Sequence, residues 1–324
     1  MKLYKIDITP YSLFRDVPSS YTVFGGICWA YSILYGEKKL YQLLSQFENN
    51  TPPFILSSLL PREDKNYYFP KPNLKAERKE NSTIDYKSLK KIQYVDLDTI
   101  TQVLDGKIHT EAELNQLLEQ KLKNSIVKKI SFLSKESLPH ASIDRLFGTT
   151  QGTGTLFFDE AVSIKESFLI VAVKDNEVKK ELESTIKLLQ DIGLGGNRSI
   201  GFGRLKFGEF EEFPQLEKYF NQKTNRFLTL SPLIPEPLTY DLENSYYDYF
   251  TFRGAIDNNY DFKNIDIWKE KVLYLKEGAV LKVKNQKSFY GSFFTAKNIN
   301  GTKIFQYGIA FPLYIQGGMQ WNLI

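Results

Sequence analysis

Along residues 3–9, Tyr4, Ile6 and Ile8 alternate with Lys5 and Asp7, a period of two that predicts a half-buried strand at the start of the chain. A polar loop over 10–20, holding Phe14, Arg15 and Asp16, leads into an apolar stretch. That stretch predicts a helix over 24–35, closed by Gly36. A second helical pattern covers 37–47, and residues 54–57 predict a short strand that ends before Pro61. Residues 62–138 differ in character: they are rich in lysine, and no glycine occurs between Gly36 and Gly106. Within them Leu114, Leu117, Leu118 and Leu122 recur at helical spacing, which predicts a helix over 110–123. The region reads as an insertion, with a mobile loop at its flank over 66–81. Residues 154–161 and 167–173 then read as a strand pair. Val178, Leu182, Ile186 and Leu189 predict an amphipathic helix over 177–192, started by Asp175 or Asn176 and ended by Gly193. Leu205 and Phe207 alternate with Arg204 and Lys206, which predicts a further strand.

These elements run strand–helix–strand–strand–helix–strand, the ferredoxin-like (RRM-like) plan of an α+β domain. The pattern breaks over 214–225, a Glu-flanked stretch that reads as a linker. Beyond it, strand patterns recur over 226–230, 246–253, 271–275, 279–283, 289–294 and 305–315, so the second half is richer in β-structure.

The densest chemistry lies between the 177–192 helix and the strand after it. Residues 193–204 hold five glycines, Gly193, Gly195, Gly196, Gly201 and Gly203, and two arginines, Arg198 and Arg204, with Asn197 and Ser199 and no acid. Backbone amides in such a loop can line a concavity that a phosphate approaches closely, and arginine forks match phosphate oxygens. A surface turn with a basic flank is the plainer alternative. The order here is helix, loop, strand, whereas phosphate loops of nucleotide enzymes run strand, loop, helix and use the positive helix N-terminus. No Gly-Lys-Ser/Thr ending follows, so a nucleoside triphosphatase or dinucleotide enzyme is disfavoured.

Composition changes the picture little, but charge distribution does. The 324 residues, 42% hydrophobic and 15% aromatic, suit one large or two ordinary folded domains. The net charge of +4 is unevenly spread. Residues 71–91 carry seven bases against three acids, 121–135 carry five lysines and no acid, and 236–266 carry seven acids against two bases. Such separation suits a protein that grips RNA on one side and meets proteins on another, although each run alone also fits a solvated face. Cys28, the only cysteine, excludes an internal disulfide and reads as a small core residue. No signal peptide or membrane-spanning apolar run is found, and the chain reads as soluble and cytoplasmic.

The glycine loop, late in a ferredoxin-like domain, resembles the signature of the RAMP superfamily of CRISPR proteins. Three other segments agree in order: 23–30 with Phe24, Gly25 and Gly26, 53–61 with Ser57 and Ser58, and 140–158 with His140, Asp144, Arg145 and Phe147. Together they are most similar to the subfamily of handle-binding subunits of type III-A (Csm) effector complexes. The match spans about the first two thirds of the chain. The resemblance implies two ferredoxin-like domains: 1–213, with an insertion at about 62–138 and the glycine-rich loop at 193–203, and a degenerate, β-rich one at 214–324. It implies RNA contact by the four segments, with His140, Arg145 and Phe147 as candidates for base contacts. A buried Asp144–Arg145 pair would give the same sequence. It further implies CRISPR RNA as ligand, held at its repeat-derived 5′ handle. The implied protein partners are the large polymerase-like subunit and a backbone RAMP subunit. No cofactor and no membrane contact is expected. The equivalent subunit of type III-B complexes is the alternative within the family; Phe24-Gly25-Gly26 and Ser57-Ser58 favour III-A.

A catalytic role is weakly furnished. The chain has two histidines, His109 and His140, neither spaced for a metal site, and no nucleophile elbow. A metal-independent repeat endoribonuclease is the enzymatic alternative, with His140 near Arg145 as its nominal acid–base pair. However, the first helix lacks the histidine that many such relatives carry. Asp16 follows the first strand, where a related subunit keeps a catalytic aspartate, but Phe14-Arg15-Asp16-Val17-Pro18 does not resemble that loop. The protein is expected not to be an enzyme.

Overall fold

The computed structural model describes residues 1–76, 89–123, 132–144, 148–150, 156–256, 266–299 and 301–316. Its largest sheet is antiparallel and built around β1 (Lys2–Pro10) and β8 (Ser167–Val173), paired from Lys2↔Val173 to Ile8↔Ser167. All seven residues of β8 are buried, as the central strand of a covered sheet requires. On the far side of β8 lie β2 (Phe54–Leu56) and β3 (Leu60–Glu63). Beyond β1 lie β9 (Leu205–Phe207) and β10 (Glu211–Glu212). The sheet continues past β3 through β4 (Asn66–Pro70) and β5 (Tyr94–Asp96).

Two long helices pack together beside this sheet. They are α1 (Ser20–Tyr35), which with α2 (Glu37–Glu48) follows β1, and α5 (Asn176–Ile192), which follows β8. Gly26 allows their close approach: a Cβ there would lie 2.9 Å from a Leu194 methyl and 3.0 Å from one of Leu189. Asp175 caps α5 by accepting from the Glu177 and Val178 amides, and Gly193 ends it at φ +88°.

The lysine-rich region joins the first sheet through β4 and β5. Asp96 caps α3 (Leu97–Leu104), and Thr110 and Glu113 form a capping box at the start of α4 (Glu111–Lys123). Leu114 and Leu118 of α4 belong to the main core. The flank expected to be a mobile loop holds β4, where Tyr68 and Phe69 are buried, so its 66–70 part is a sheet strand. Residues 77–81 lie outside the described residues.

Strand pairing also departs from expectation. β7 (Leu156–Ile164) pairs with β6 (Leu133–Ala141) as a two-stranded ribbon, not with β8. The stretch expected to be a linker forms α6 (Pro214–Asn221), with Pro at its first position and Leu216, Tyr219 and Phe220 buried.

The C-terminal half has no helix among its described residues from 226 to 316. It is built on an antiparallel sheet in the order β12 (Tyr240–Tyr246), β15 (Val280–Val283), β11 (Arg226–Thr229), β18 (Pro312–Tyr314). Two ribbons accompany it: β13 (Tyr249–Phe252) with β14 (Val272–Leu275), and β16 (Gly291–Ile299) with β17 (Thr302–Ile309). The molecule is thus mixed α and β, with antiparallel sheets. The main core runs across the junction at 213/214: Leu216, Leu228, Val280, Tyr307 and Phe311 share it with Ile6, Phe24 and Leu169.

Candidate nucleic-acid interface

The glycine loop divides its glycines between two tasks. Gly193 and Gly203 hold the loop shut. Leu194 N–H donates to the Gly203 carbonyl at 2.9 Å, and Gly203 N–H donates to the Leu13 carbonyl at 2.9 Å. A Cβ at Gly203, where φ is +74°, would lie 2.1 Å from the Leu194 carbonyl oxygen. Leu194 and Phe202, both buried, anchor the ends of the loop in the core. Between them a short 3₁₀ turn (Arg198–Ile200) presents the outer surface, entered by Asn197 at φ +60° and left by Gly201 at φ +94°. A side chain at Gly201 would project into open space. The amides of Gly195 and Gly196 donate no hydrogen bond to any described residue, and Gly196 is exposed. Ser199 and Gly201 are exposed, and Asn197 and Arg198 half-buried, so the backbone of the outer turn is accessible to a ligand.

The loop after β1 lies beside it. A Cβ on Gly196 would stand 3.3 Å from Cδ of Arg15, an exposed cation that sequence reading left unassigned. Ser12 Oγ accepts from the Arg204 amide at 2.9 Å. The Arg204 guanidinium donates to the Asp191 carbonyl at 2.7 Å, so it caps the C-terminal end of α5 as well as lying at the surface.

The β6–β7 ribbon carries the second candidate surface. His140 faces Phe157 across the ribbon, their rings stacked at 5.4 Å, and its Nε2 is 3.8 Å from an Asp159 carboxylate oxygen. Leu156, Phe157 and Phe158 are exposed, as is Ile143 beyond the ribbon. No periodicity marked this exposed apolar surface, whose two rings, Phe157 and Phe158, are chemically suited to stacking on unpaired bases. The Asp144 carbonyl accepts from Gly148 N–H at 2.8 Å, and Asp144 N–H donates to the Thr149 carbonyl at 2.9 Å. Arg145 and Phe147 lie outside the described residues.

The remaining candidates have structural places. Phe24 is a core residue, stacked on Tyr307 at 4.6 Å and against Phe47, so burial removes it from direct contact with a ligand. Ser57 is likewise consumed. Its Oγ accepts from Ile170 N–H at 2.9 Å and donates to the Ser58 carbonyl at 2.8 Å, extending the join of β2 to β8. Ser58, also buried, donates to Glu277 Oε1 at 2.7 Å. Gly25 is exposed on α1. The structure therefore brings together the glycine loop and the β1–α1 loop, and it places Phe24 and Ser57 beneath the surface.

Among the described residues no cluster of His, Cys, Asp or Glu could hold a metal ion, and no helix is long and apolar enough to cross a membrane. Cys28 is half-buried, and burial pushes its thiol up to about 12. His109 N–H donates to Glu113 at the start of α4, a capping contact.

The family model described as the RAMP superfamily matches residues 22–206, a span that runs from α1 through the glycine loop to β9. The chain belongs to the RAMP superfamily. Among proteins of this superfamily, the CRISPR system Cms protein Csm4 of Methanocaldococcus jannaschii is 29% identical over 305 residues, covering 81% of this chain and 78% of the relative. Its counterpart from Thermococcus onnurineus is 23% identical over 246 residues, covering 72% and 78%. A chain of the Csm3-Csm4 subcomplex in the type III-A CRISPR-Cas interference complex superposes with a TM-score of 0.64 at 20% identity, over 97% of this chain and 100% of that one. A chain of a Csm1-Csm4 cassette in complex with cA4 superposes with a TM-score of 0.55 at 16% identity, over 97% and 98%. At these identities the structural likeness establishes the fold.

Proposed function

We propose that this chain is a non-catalytic, RNA-binding subunit of a cytoplasmic type III-A CRISPR interference complex. It holds the repeat-derived 5′ handle of the CRISPR RNA and joins the large polymerase-like subunit to the first backbone RAMP subunit. The relatives named Csm4, and the complexes with Csm1 and Csm3 in which chains of this fold occur, support the choice of assembly. The observation that carries the RNA reading is the glycine loop. Its Gly195 and Gly196 amides are available, Arg15 and Arg198 flank it, and its ends are pinned by Gly193 and Gly203. Rigid amides with nearby arginines suit the phosphates of a single strand, and the exposed rings of the β6–β7 ribbon suit its bases. On this reading the chain divides at about 213/214, and the C-terminal half is a degenerate, β-rich ferredoxin-like unit.

The test is the salt dependence of binding by the full chain to a fluorescent single-stranded RNA octamer. The wild-type protein is expected to lose affinity steeply with salt. Arg198→Ala is expected to lower the slope of log affinity against log salt by roughly 0.7, the value for one phosphate contact on a single strand. An unchanged slope removes Arg198 from the interface, and absence of any RNA binding by the wild-type chain overturns the reading.

A further inference from the structure

A cleft of about 940 Å³ opens between the first sheet and the C-terminal half. One end is formed by Val17, Pro18 and Ser19, from the same β1–α1 loop that places Arg15 against Gly196. Two residues of chain span at most about 7 Å, so the cleft begins within roughly one nucleotide of the glycine loop's flank. Tyr94 of β5 lines one wall, and Tyr247 and Tyr249 line another. The acidic, aromatic stretch over 236–266, read from sequence as a protein-facing surface, therefore turns part of its aromatic content into this cleft. Phe250 and Phe252 pack instead on Tyr274 and Tyr21.

The charged lining comprises Lys71, Lys90 and Lys276 with Glu111, Asp248 and Glu277, equal numbers of each sign. Such a cleft offers no net pull on a phosphate chain, unlike the glycine loop, and suits the uncharged base of a nucleotide. Its volume falls in the range of small-molecule sites and exceeds what one base needs. Glu277 is distinctive among the lining residues. It sits half-buried at the turn between β14 and β15, where Gly278 (φ +86°) lies so close to Lys71 that a Cβ would come within 2.6 Å of the Lys71 carbonyl oxygen. Its Oε1 accepts the Ser58 hydroxyl at 2.7 Å, and burial raises its pKa against that bond, a bond from its own backbone N–H and the nearby Lys276 charge. A carboxylate has four acceptor positions, so beyond these two bonds this one keeps acceptor capacity at the cleft that it lines.

We propose that the cleft receives one base of the bound strand and that Glu277 selects guanine, whose adjacent N1–H and N2–H groups match the two carboxylate oxygens. Uracil, adenine and cytosine each offer one donor on that edge, and the tyrosines supply stacking to any base. This inference rests on the RNA-binding reading above and adds a specificity-determining residue to it.

The test uses the full chain and three RNA octamers: eight uridines, and the same strand with its fifth residue replaced by guanosine or by inosine. Inosine keeps N1–H and lacks the N2 amine. The guanosine strand is expected to bind roughly ten-fold tighter than the inosine strand, within the discrimination of a bidentate base contact. In Glu277→Gln, with folding checked by its melting transition, the guanosine-to-inosine ratio should fall to within two-fold. A wild-type ratio near one overturns the inference and leaves RNA binding standing, as does a Glu277→Gln protein that keeps the full ratio. A wild-type chain that binds none of the three strands overturns the RNA-binding reading and this inference with it.

Discussion

Replacing Gly203 and Gly201 separately by alanine tests whether the glycine loop is a pinned structure or a pliable turn. Both residues lie in the left-handed region, at φ +74° and +94°. Alanine there costs roughly 1–2 kcal/mol in backbone strain alone. At Gly201 nothing lies within 4 Å of the new Cβ, so strain is the whole cost. At Gly203 the Cβ would meet the Leu194 carbonyl oxygen at 2.1 Å, the carbonyl carbon at 2.9 Å and the nitrogen at 3.0 Å. All three are backbone atoms, and relief requires the two chain segments to separate. That movement gives up the bonds from Leu194 N–H to Gly203 and from Gly203 N–H to Leu13, each worth about 1 kcal/mol net. The expected losses are thus about 3–4 kcal/mol for Gly203→Ala against about 1–2 kcal/mol for Gly201→Ala. In a thermal melt these correspond to decreases of roughly 4–6 °C and 1.5–3 °C. Equal decreases for the two variants would refute the pinning argument. RNA affinity should follow the opposite logic: Gly201→Val, whose side chain projects outward, is expected to stay folded and bind RNA more weakly.

Two further outcomes follow from other parts of the molecule. Lys121 is buried and holds both oxygens of Asp96 at 2.9 Å and one of Asp98 at 2.8 Å. Lys121→Met should cost about 3 kcal/mol in urea unfolding by stranding Asp96. In the wild-type chain burial would raise the Asp96 pKa, but bonds from Thr99 and Lys121 outweigh it and hold the carboxyl below its ordinary value. The stability it contributes is therefore full above about pH 4 and declines as pH falls through the lower folded value, and this acid-side decline should shrink in the variant. Purified chain should not cut repeat RNA, with or without divalent metal. Multiple-turnover cleavage abolished by His140→Ala would contradict the non-catalytic reading.

Where local chemistry decides structure, the fold was legible in the sequence. The alternation around Ile6, the glycines at 36 and 193, and the Asp175 cap mark β1, α1, α2 and α5 to within a few residues. Long-range choices were not legible. β8 reads as a plain apolar run, and nothing in Leu169 or Val171 says that its partners are β1, β2 and β3 rather than the neighbouring β7. α6 spans only two turns, and its buried Leu216, Tyr219 and Phe220 become meaningful once the core they fill is known. The glycine loop was visible as a motif. Its division into pinning and open glycines depends on the approach of Leu13, Leu194 and Arg15, which only the folded chain sets. The cleft around Glu277 gathers residues from seven separate segments, from Val17 to Glu277, and leaves no local trace.

The central claim, that this member of the RAMP superfamily holds a guide RNA within a type III-A assembly, is tested most directly by tagging the full chain in its own cells, purifying it, and sequencing the RNA that comes with it. The account predicts one population of small RNAs sharing a constant 5′ end, recovered together with a large polymerase-like subunit and a backbone RAMP subunit. Recovery without RNA, or with RNA of unrelated 5′ ends, would contradict it.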